Sequence, residues 1–456
     1  MAKILAKYGS WKSSVSATKI ADGSISLSQV IMDDADIYWI EGRPSEKGRS
    51  VIVRLDRNGS MVDVIDQRHS ARTRVHEYGG GSYDVSGGII YYSNFADQRI
   101  YRQDKSGEPV AITSNDTTQR FADIKVDKNS GKLICINESH SRDSGNEPIN
   151  RIVRLSLSRP SQTKPEVLVS GADFYSNARI NLSGKKLAWL QWNHPLMPWD
   201  GCELWVGDLD KDGIKNRRLV AGGNTEAIFQ PEWHPEYEDS LFYVSDRTGW
   251  WNLYSVDTAA ERPCPEPVLI MNAEFATPMW VFGMKTYQFT SSKTIFCAYT
   301  SDSRWYLGCI DLLSKKLTKI DLPYTEYSSI NYSDGVVAFK AGSPKSSPAV
   351  VSLKLSGQGH TKISRPIVDT MHIDDISIPE SIEFPTENNL TAHGFFYPPQ
   401  NRKYQGLVNS KPPLLVKIHG GPTGATGSSL NQGIQCWTAR GFAVLDINYG
   451  GSTGYG

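Results

Sequence analysis

Residues 413–456 read PLLVKIHGGPTGATGSSLNQGIQCWTARGFAVLDINYGGSTGYG, and this stretch decides the fold. Leu414 to His419 is a short apolar run between Pro and Gly, the pattern of a strand buried on both faces of a parallel sheet. A tight turn follows at His419-Gly420-Gly421-Pro422, where two residues without Cβ let the backbone approach a ligand closely. Ser428 or Ser429 is placed to cap a helix that carries Leu430, Ile434 and Trp437 on one face, and Gly441 is placed to stop it. Ala443 to Tyr449 reads as a second buried strand. Strand, glycine turn, helix and strand make a βαβ unit, so the two strands are expected to lie parallel.

HGGP after the first strand and NYGGSTGYG after the second resemble the opening of the catalytic domain in the prolyl oligopeptidase family of serine peptidases. The acylaminoacyl-peptidase and dipeptidyl-peptidase-like branch is the most similar. The resemblance implies an α/β-hydrolase domain carrying a Ser, Asp, His triad, covered by a β-propeller. It further implies that the Gly421 amide is an oxyanion-hole donor, with His419, Gly420 and Pro422 shaping the turn. On the residues alone, HGGP also reads as nothing more than a tight turn.

Gly450-Gly451-Ser452-Thr453-Gly454 satisfies the nucleophile-elbow pattern G-x-S-x-G, yet Ser452 is not expected to be the nucleophile. An elbow leads straight into a helix, and the triad's Asp and His follow the serine in sequence; here only Thr-Gly-Tyr-Gly remains. The triad is expected beyond Gly456, which makes these 456 residues an incomplete and inactive portion of a peptidase. A sheet of two or three strands does not close a doubly wound core.

Upstream, short alternating strands recur between Asp, Asn, Gly and Ser turns. Seven units begin near Ile37, Gly88, Phe121, Ala178, Pro231, Tyr287 and Ser329. The clearest is PEWHPEYEDSLFYVSDRTGWWNLYSVD, with strands at Leu241 to Ser245 and Asn252 to Asp257 about the turn Asp246-Arg247-Thr248-Gly249. Units of roughly 40 to 50 residues fit four-stranded propeller blades, with a pair of β-sandwiches as the structural alternative. The expected organisation is an N-terminal segment at 1–36, a seven-bladed propeller at 37–363 and the start of a hydrolase domain at 364–456, with the boundary near residue 370. Within the last part, residues 376–386 read as an edge strand and Asn388-Asn389 as a hairpin turn into Leu390 to Tyr397.

Two propeller loops carry chemistry beyond turn residues. Residues 41–49, EGRPSEKGR, read either as a solvated hairpin loop or as a charged rim of a substrate cavity. Residues 72–81, RTRVHEYGGG, resemble a segment of the same peptidase branch, and Glu77, Arg74 and Tyr78 are its candidate substrate-binding residues. Glu77 in a cavity would hold a peptide's free amine; the three glycines equally suit tight turning against the propeller axis.

Composition narrows the partners. The chain has 49 basic and 49 acidic residues, so no net field draws nucleic acid or an anionic membrane. Its start, MAKILAKYGSWKSS, has no apolar signal core, and no run approaches the length of a membrane span. Six cysteines without a C-x-x-C pair read as free thiols of a reducing compartment, hence a cytoplasmic expectation. The histidines form no H-E-x-x-H, and there is no nucleotide-binding fingerprint, so neither metal nor cofactor is expected. The function expected is a serine-type peptidase acting on short peptides, with homo-oligomerisation open. The alternatives are a non-catalytic propeller binding protein and an esterase on the same hydrolase fold.

Overall fold

The computed structural model describes residues 2–456 apart from 14, 19, 21–23, 106, 141–146, 158–163, 303, 358 and 365–370. The expected boundary near residue 370 lies outside the described residues.

Seven antiparallel sheets of four consecutive strands account for most of the chain, at 26–63, 83–111, 119–169, 174–222, 228–269, 287–320 and 326–362. They are blades 1 to 7 of a ring with the arrangement of a β-propeller. The hairpin read from sequence in blade 5 pairs Ser240–Ser245 with Asn252–Asp257. Blade 1, however, begins with Ser26–Asp33, eleven residues ahead of Ile37. That strand escaped the pattern because a bulge between Ser28 and Ile31 breaks its alternation, with Gln29 in the left-handed region at φ 49°.

The same device recurs around the axis. Asp123, Asn177, Gln230 and Ser329 also sit at φ between 48° and 56° in the first strands of blades 3, 4, 5 and 7. Several of these bulges turn a polar side chain or its neighbour toward the next blade. Gln29 bonds the Tyr83 carbonyl at 2.9 Å, Asp123 accepts from the Asn177 amide at 2.7 Å, and Gln230 grips both the Thr286 amide and the Tyr287 carbonyl at 2.7 Å. Each of these side chains satisfies backbone groups of the next blade, and the Tyr83 and Tyr287 hydroxyls donate in return to the Gln29 and Gln230 carbonyls at 2.6 and 2.8 Å. Three ion pairs, Asp84 with Lys125, Asp123 with Arg179 and Glu232 with Lys285, stand close to the axis at 3.1 to 3.4 Å. Residues of all three pairs except Glu232 border an axial cavity of about 180 Å³. Burial alone would raise the Glu232 carboxyl, but Lys285, Arg179 and Lys125 together hold it below its ordinary value.

Because each blade uses consecutive strands, no strand is shared where the ring closes. Blade 7 meets blade 1 through packing of Ala338 and Val350 in the blade 1 core and through Asn331 Oδ1, which accepts from the Met32 amide at 3.1 Å.

The charged 41–49 loop is not fully solvated. Arg43 is 7% exposed and pairs with Glu41 at 2.7 Å, Glu46 at 3.0 Å and Asp63 at 2.6 Å, while Glu41 is 1% exposed. The network ties inner and outer strands of blade 1, and its hydrogen bonds hold the Arg43 guanidinium well above its ordinary value against the opposing effect of burial.

After the propeller comes a separate four-stranded sheet in the order Glu380–Pro385, Thr391–Tyr397, Ala443–Asn448, Leu414–Ile418. Its first two strands are the hairpin expected about Asn388 and Asn389, both at φ 58°. Its last pair is parallel, with Leu414 opposite Ala443 and Ile418 opposite Ile447, as the βαβ reading requires. The intervening helix, Gln432–Thr438, is capped by Asn431 Oδ1 on the Ile434 amide at 3.2 Å, not by Ser428 or Ser429. Gly441 at φ 91° does end it. The two serines are instead drawn to blade 7: Ser428 meets the Thr325 hydroxyl at 2.8 Å, and the Ser429 amide donates to Glu326 at 2.7 Å.

Leu414–Ile418 is the outermost strand that these 456 residues supply to the sheet, and Leu414, Val416 and Ile418 are 50%, 58% and 65% exposed rather than buried on both faces. Burial on both faces needs a strand on its open side, and within these residues it pairs only with Ala443–Asn448. The N-terminus joins this region, since Ile4–Leu5 pairs in parallel with Tyr404–Gln405.

Candidate active site

The HGGP turn leaves the C-terminal end of Leu414–Ile418, the end at which parallel sheets present ligand-binding loops. Three contacts fix it. His419 Nε2 lies 2.8 Å from Ser452 Oγ, its Nδ1 lies 2.8 Å from the Gly420 carbonyl, and its ring stacks on Tyr449 at 4.4 Å. A carbonyl accepts, so Nδ1 carries the proton and Nε2 accepts from the Ser452 hydroxyl. Tyr449 also donates to the Gly420 carbonyl at 3.3 Å. The second strand's exit loop thus clasps the first strand's turn.

Gly421 is glycine for a spatial reason: a Cβ there would stand 2.6 Å from the Tyr449 hydroxyl. Among the described residues no acceptor takes the Gly421 N–H, and the residue is exposed. Gly420 and Pro422 are exposed beside it.

Ser452 stands in a turn whose amide donates to the Tyr449 carbonyl at 3.0 Å, not at a strand-to-helix elbow. It is 4% exposed, and its histidine is oriented by a backbone carbonyl instead of a carboxylate. This Ser–His contact was invisible in the sequence, where 33 positions separate the two residues.

Facing the turn are groups from the propeller. Trp280 Nε1 donates to the Thr423 carbonyl at 3.0 Å, and Trp280 packs against Trp199 at 4.2 Å and Tyr78 at 5.4 Å. Glu274 accepts from the Trp251 amide at 2.9 Å and from the Gly456 amide at 3.2 Å. Burial pushes the Glu274 and Asp246 carboxyls above their ordinary values, and both border a cavity of about 250 Å³ shared with Thr423 and Ser452.

Of the three substrate-binding candidates, Glu77 and Tyr78 line a separate cavity of about 360 Å³ walled by Phe174, Trp192, Trp199 and Trp280. Arg74 does not line it; its guanidinium lies over Phe95 at 4.4 Å. Glu77 is largely exposed and pairs with Arg120 at 2.9 Å. Glu138, which sequence reading missed, is buried in the same wall and takes Arg120 at 3.1 Å, His140 at 2.6 Å and the His76 amide at 2.7 Å. The adjoining glycines answer to space: a Cβ on Gly80 would stand 2.4 Å from the Phe282 carbonyl oxygen, and one on Gly79 2.4 Å from that of Thr73.

Among the described residues no group of His, Cys, Asp or Glu is arranged to hold a metal, and no helix is long and apolar enough to cross a membrane.

No protein-family model matches the chain. A puromycin-hydrolysing peptidase of Mycobacterium tuberculosis superposes with a TM-score of 0.93 at 30% identity, covering 100% of this chain and 71% of that one. The chain belongs to the prolyl oligopeptidase family. A second solved member, a puromycin hydrolase, is 29% identical with a TM-score of 0.93, covering 99% of this chain and 70% of its own. Prolyl oligopeptidase B from Galerina marginata shares the family fold at a TM-score of 0.74 and 12% identity. A curated relative, the uncharacterized peptidase YuxL of Bacillus subtilis, is 37% identical over 81 residues, a stretch that is 12% of its length. Prolyl oligopeptidase-family membership thus rests on the propeller, the C-terminal sheet and the sequence together.

Proposed function

We propose that this chain is the propeller and the oxyanion-side part of a serine peptidase that hydrolyses short peptides. The four-stranded C-terminal sheet is read as the start of an α/β-hydrolase domain. The observation that carries the proposal is the Gly421 amide, exposed, without an acceptor among the described residues, and held by the His419–Ser452–Tyr449 clasp at the end of a parallel strand. A peptide carbonyl under nucleophilic attack develops negative charge on oxygen, and one such fixed donor is worth about 3 kcal/mol in the transition state. The attacking serine and its Asp and His are assigned to residues outside these 456. Peptidase relatives at 29% and 30% identity support this over a binding protein or an esterase.

Glu77 and Tyr78 are proposed to meet substrate in the aromatic cavity, Glu77 taking a free amine, while Arg74 supports the loop from outside. The axial ion pairs narrow the propeller's centre and favour small substrates. Six free cysteines fit a cytoplasmic location.

Reading the coding sequence downstream of Gly456 tests the proposal. A strand followed by G-x-S-x-G-G, with Asp and His after it, is expected; a stop codon directly behind Gly456 would overturn it. Puromycin and short peptides are the first substrates to assay on the longer product. The 456-residue chain should not be labelled by a fluorophosphonate serine probe, and labelling at Ser452 would reverse its assignment as a clasp.

A further inference from the structure

The connection between blades 5 and 6 reads AEFATPMWVF at residues 273–282. Ala273, Phe275, Ala276 and Met279 pack into one propeller core cluster and Phe282 into another. Its backbone is tied on both sides of Trp280. Glu274 and Thr300 exchange amide-to-carbonyl bonds at 2.9 Å, the Phe275 amide donates to the Trp251 carbonyl at 2.7 Å, and the Phe282 amide donates to the Gly79 carbonyl at 3.0 Å. Trp280 therefore springs from a fixed backbone, and its half-buried indole does two things at once. The rings of Trp199 and Tyr78 pack on it at 4.2 and 5.4 Å, and it borders the aromatic cavity of about 360 Å³. Its Nε1–H meanwhile donates to the Thr423 carbonyl at 3.0 Å.

Thr423 is the second residue past Gly421, with only the ring-restricted Pro422 between them, so the orientation of the Thr423 peptide bears on the direction of the Gly421 amide. The other bonds on this turn come from the C-terminal sheet itself. Thr423 Oγ1 donates to the Gly451 carbonyl at 3.0 Å, and the Gly424 carbonyl takes the Thr453 amide at 2.8 Å. Among the described residues, Trp280 is the one propeller side chain hydrogen-bonded to residues 419–424. An indole is suited to this double contact because it joins a wide apolar face to a single N–H donor. The charged side chains that border the cavity, Glu77, Glu138 and Glu147, are all carboxylates, which disfavours an acidic occupant and leaves the ring surfaces to an apolar, aromatic one.

We propose that Trp280 is a positioning residue for the oxyanion turn: an aromatic side chain of the substrate packs on its ring in the cavity, steadies the Nε1 bond to Thr423, and so fixes the Gly421 amide. This rests on the peptidase reading and adds to it that peptides with an aromatic side chain order the turn that acts on them. The coupling runs both ways, since a turn that holds the indole in place also holds the ring on which the side chain stacks.

The test is hydrogen exchange of the 456-residue chain, read at the Thr453 amide, bonded to Gly424, and at the Thr426 amide, bonded to Asn448. Phe-Ala-Ala and Ala-Ala-Ala are the probes, each brought to saturation by calorimetric titration. Phe-Ala-Ala should slow both amides about fivefold, the net worth of one hydrogen bond, and Ala-Ala-Ala should leave them unchanged. Trp280→Phe keeps a ring in the wall and removes the donor. It should bind Phe-Ala-Ala within about twofold of the unmodified chain, exchange about fivefold faster at both amides, and lose the protection that the peptide confers. A bond that serves structure alone gives the same acceleration but leaves that protection in place. Protection that survives Trp280→Phe, equal protection by the two peptides, or binding of Phe-Ala-Ala without protection overturns the inference and leaves the peptidase reading standing. Should circular dichroism show Trp280→Phe unfolded, the two peptides on the unmodified chain decide the matter by themselves. Failure of both to bind overturns the inference, while the coding sequence downstream of Gly456 decides the peptidase reading separately.

Discussion

Replacing Ser452 with Ala isolates the clasp on the oxyanion turn. The substitution removes one hydroxyl, 2.8 Å from His419 Nε2, and leaves the Ser452 backbone bond to Tyr449 intact. Ser452 is buried and His419 half-buried, so water replaces the lost donor only in part. Net loss of such a bond costs about 1 kcal/mol, and the stack of His419 on Tyr449, worth about another 1 kcal/mol, remains. A loss of about 1 kcal/mol raises the population of the opened turn about fivefold. Hydrogen exchange reads this at two amides that span the clasp: Thr453, which donates to the Gly424 carbonyl at 2.8 Å, and Thr426, which donates to Asn448 at 2.8 Å. Both should exchange about fivefold faster in Ser452→Ala, while the Leu253 amide in the blade 5 core stays unchanged. Unchanged exchange at Thr453 and Thr426 would refute the clasp, and equal acceleration at Leu253 would show a global loss of stability instead.

Gly421→Ala should loosen the same amides, because its Cβ would lie 2.6 Å from the Tyr449 hydroxyl; Tyr449→Phe added to it should restore protection, a rescue that exchange measurements can check. Gln230→Leu strands the Thr286 amide and the Tyr287 carbonyl between blades 5 and 6, and should lower stability to urea by about 2 to 5 kcal/mol. His76 is enclosed by Phe174, Trp192 and Phe282, and burial lowers its pKa from 6.5 to about 4. Below pH 6.5 the unfolded chain takes up this proton and the folded one does not, so stability falls as pH drops from 6.5 toward 4. At pH 5 the loss relative to pH 7 should be about 2 kcal/mol in urea titrations, and His76→Phe should flatten that part of the profile.

Local pattern carried a large part of this protein. Alternating strands between turn residues announce blades, and the hairpins at Ser240–Ser245 and Asn252–Asp257 and at Glu380–Pro385 and Thr391–Tyr397 form where they were read. The glycines at 420 and 421 mark a turn because lack of a Cβ is a property of the residue itself. Strand Ser26–Asp33 was lost to the same reasoning because its bulge shifts the alternation that makes a strand visible.

Pairwise geometry belongs to the tertiary structure alone. Asn431 took the helix cap because Ser428 and Ser429 had partners in blade 7, more than eighty positions away. Leu414–Ile418 is exposed because, within these 456 residues, it pairs on one side only, with Ala443–Asn448. The sequence by itself determined the turn at residues 419–422 and the repeating strands, since both depend on backbone preference and period. Only the folded chain decided that Ser452 holds His419, because distances between residues remote in sequence follow from how the sheets pack.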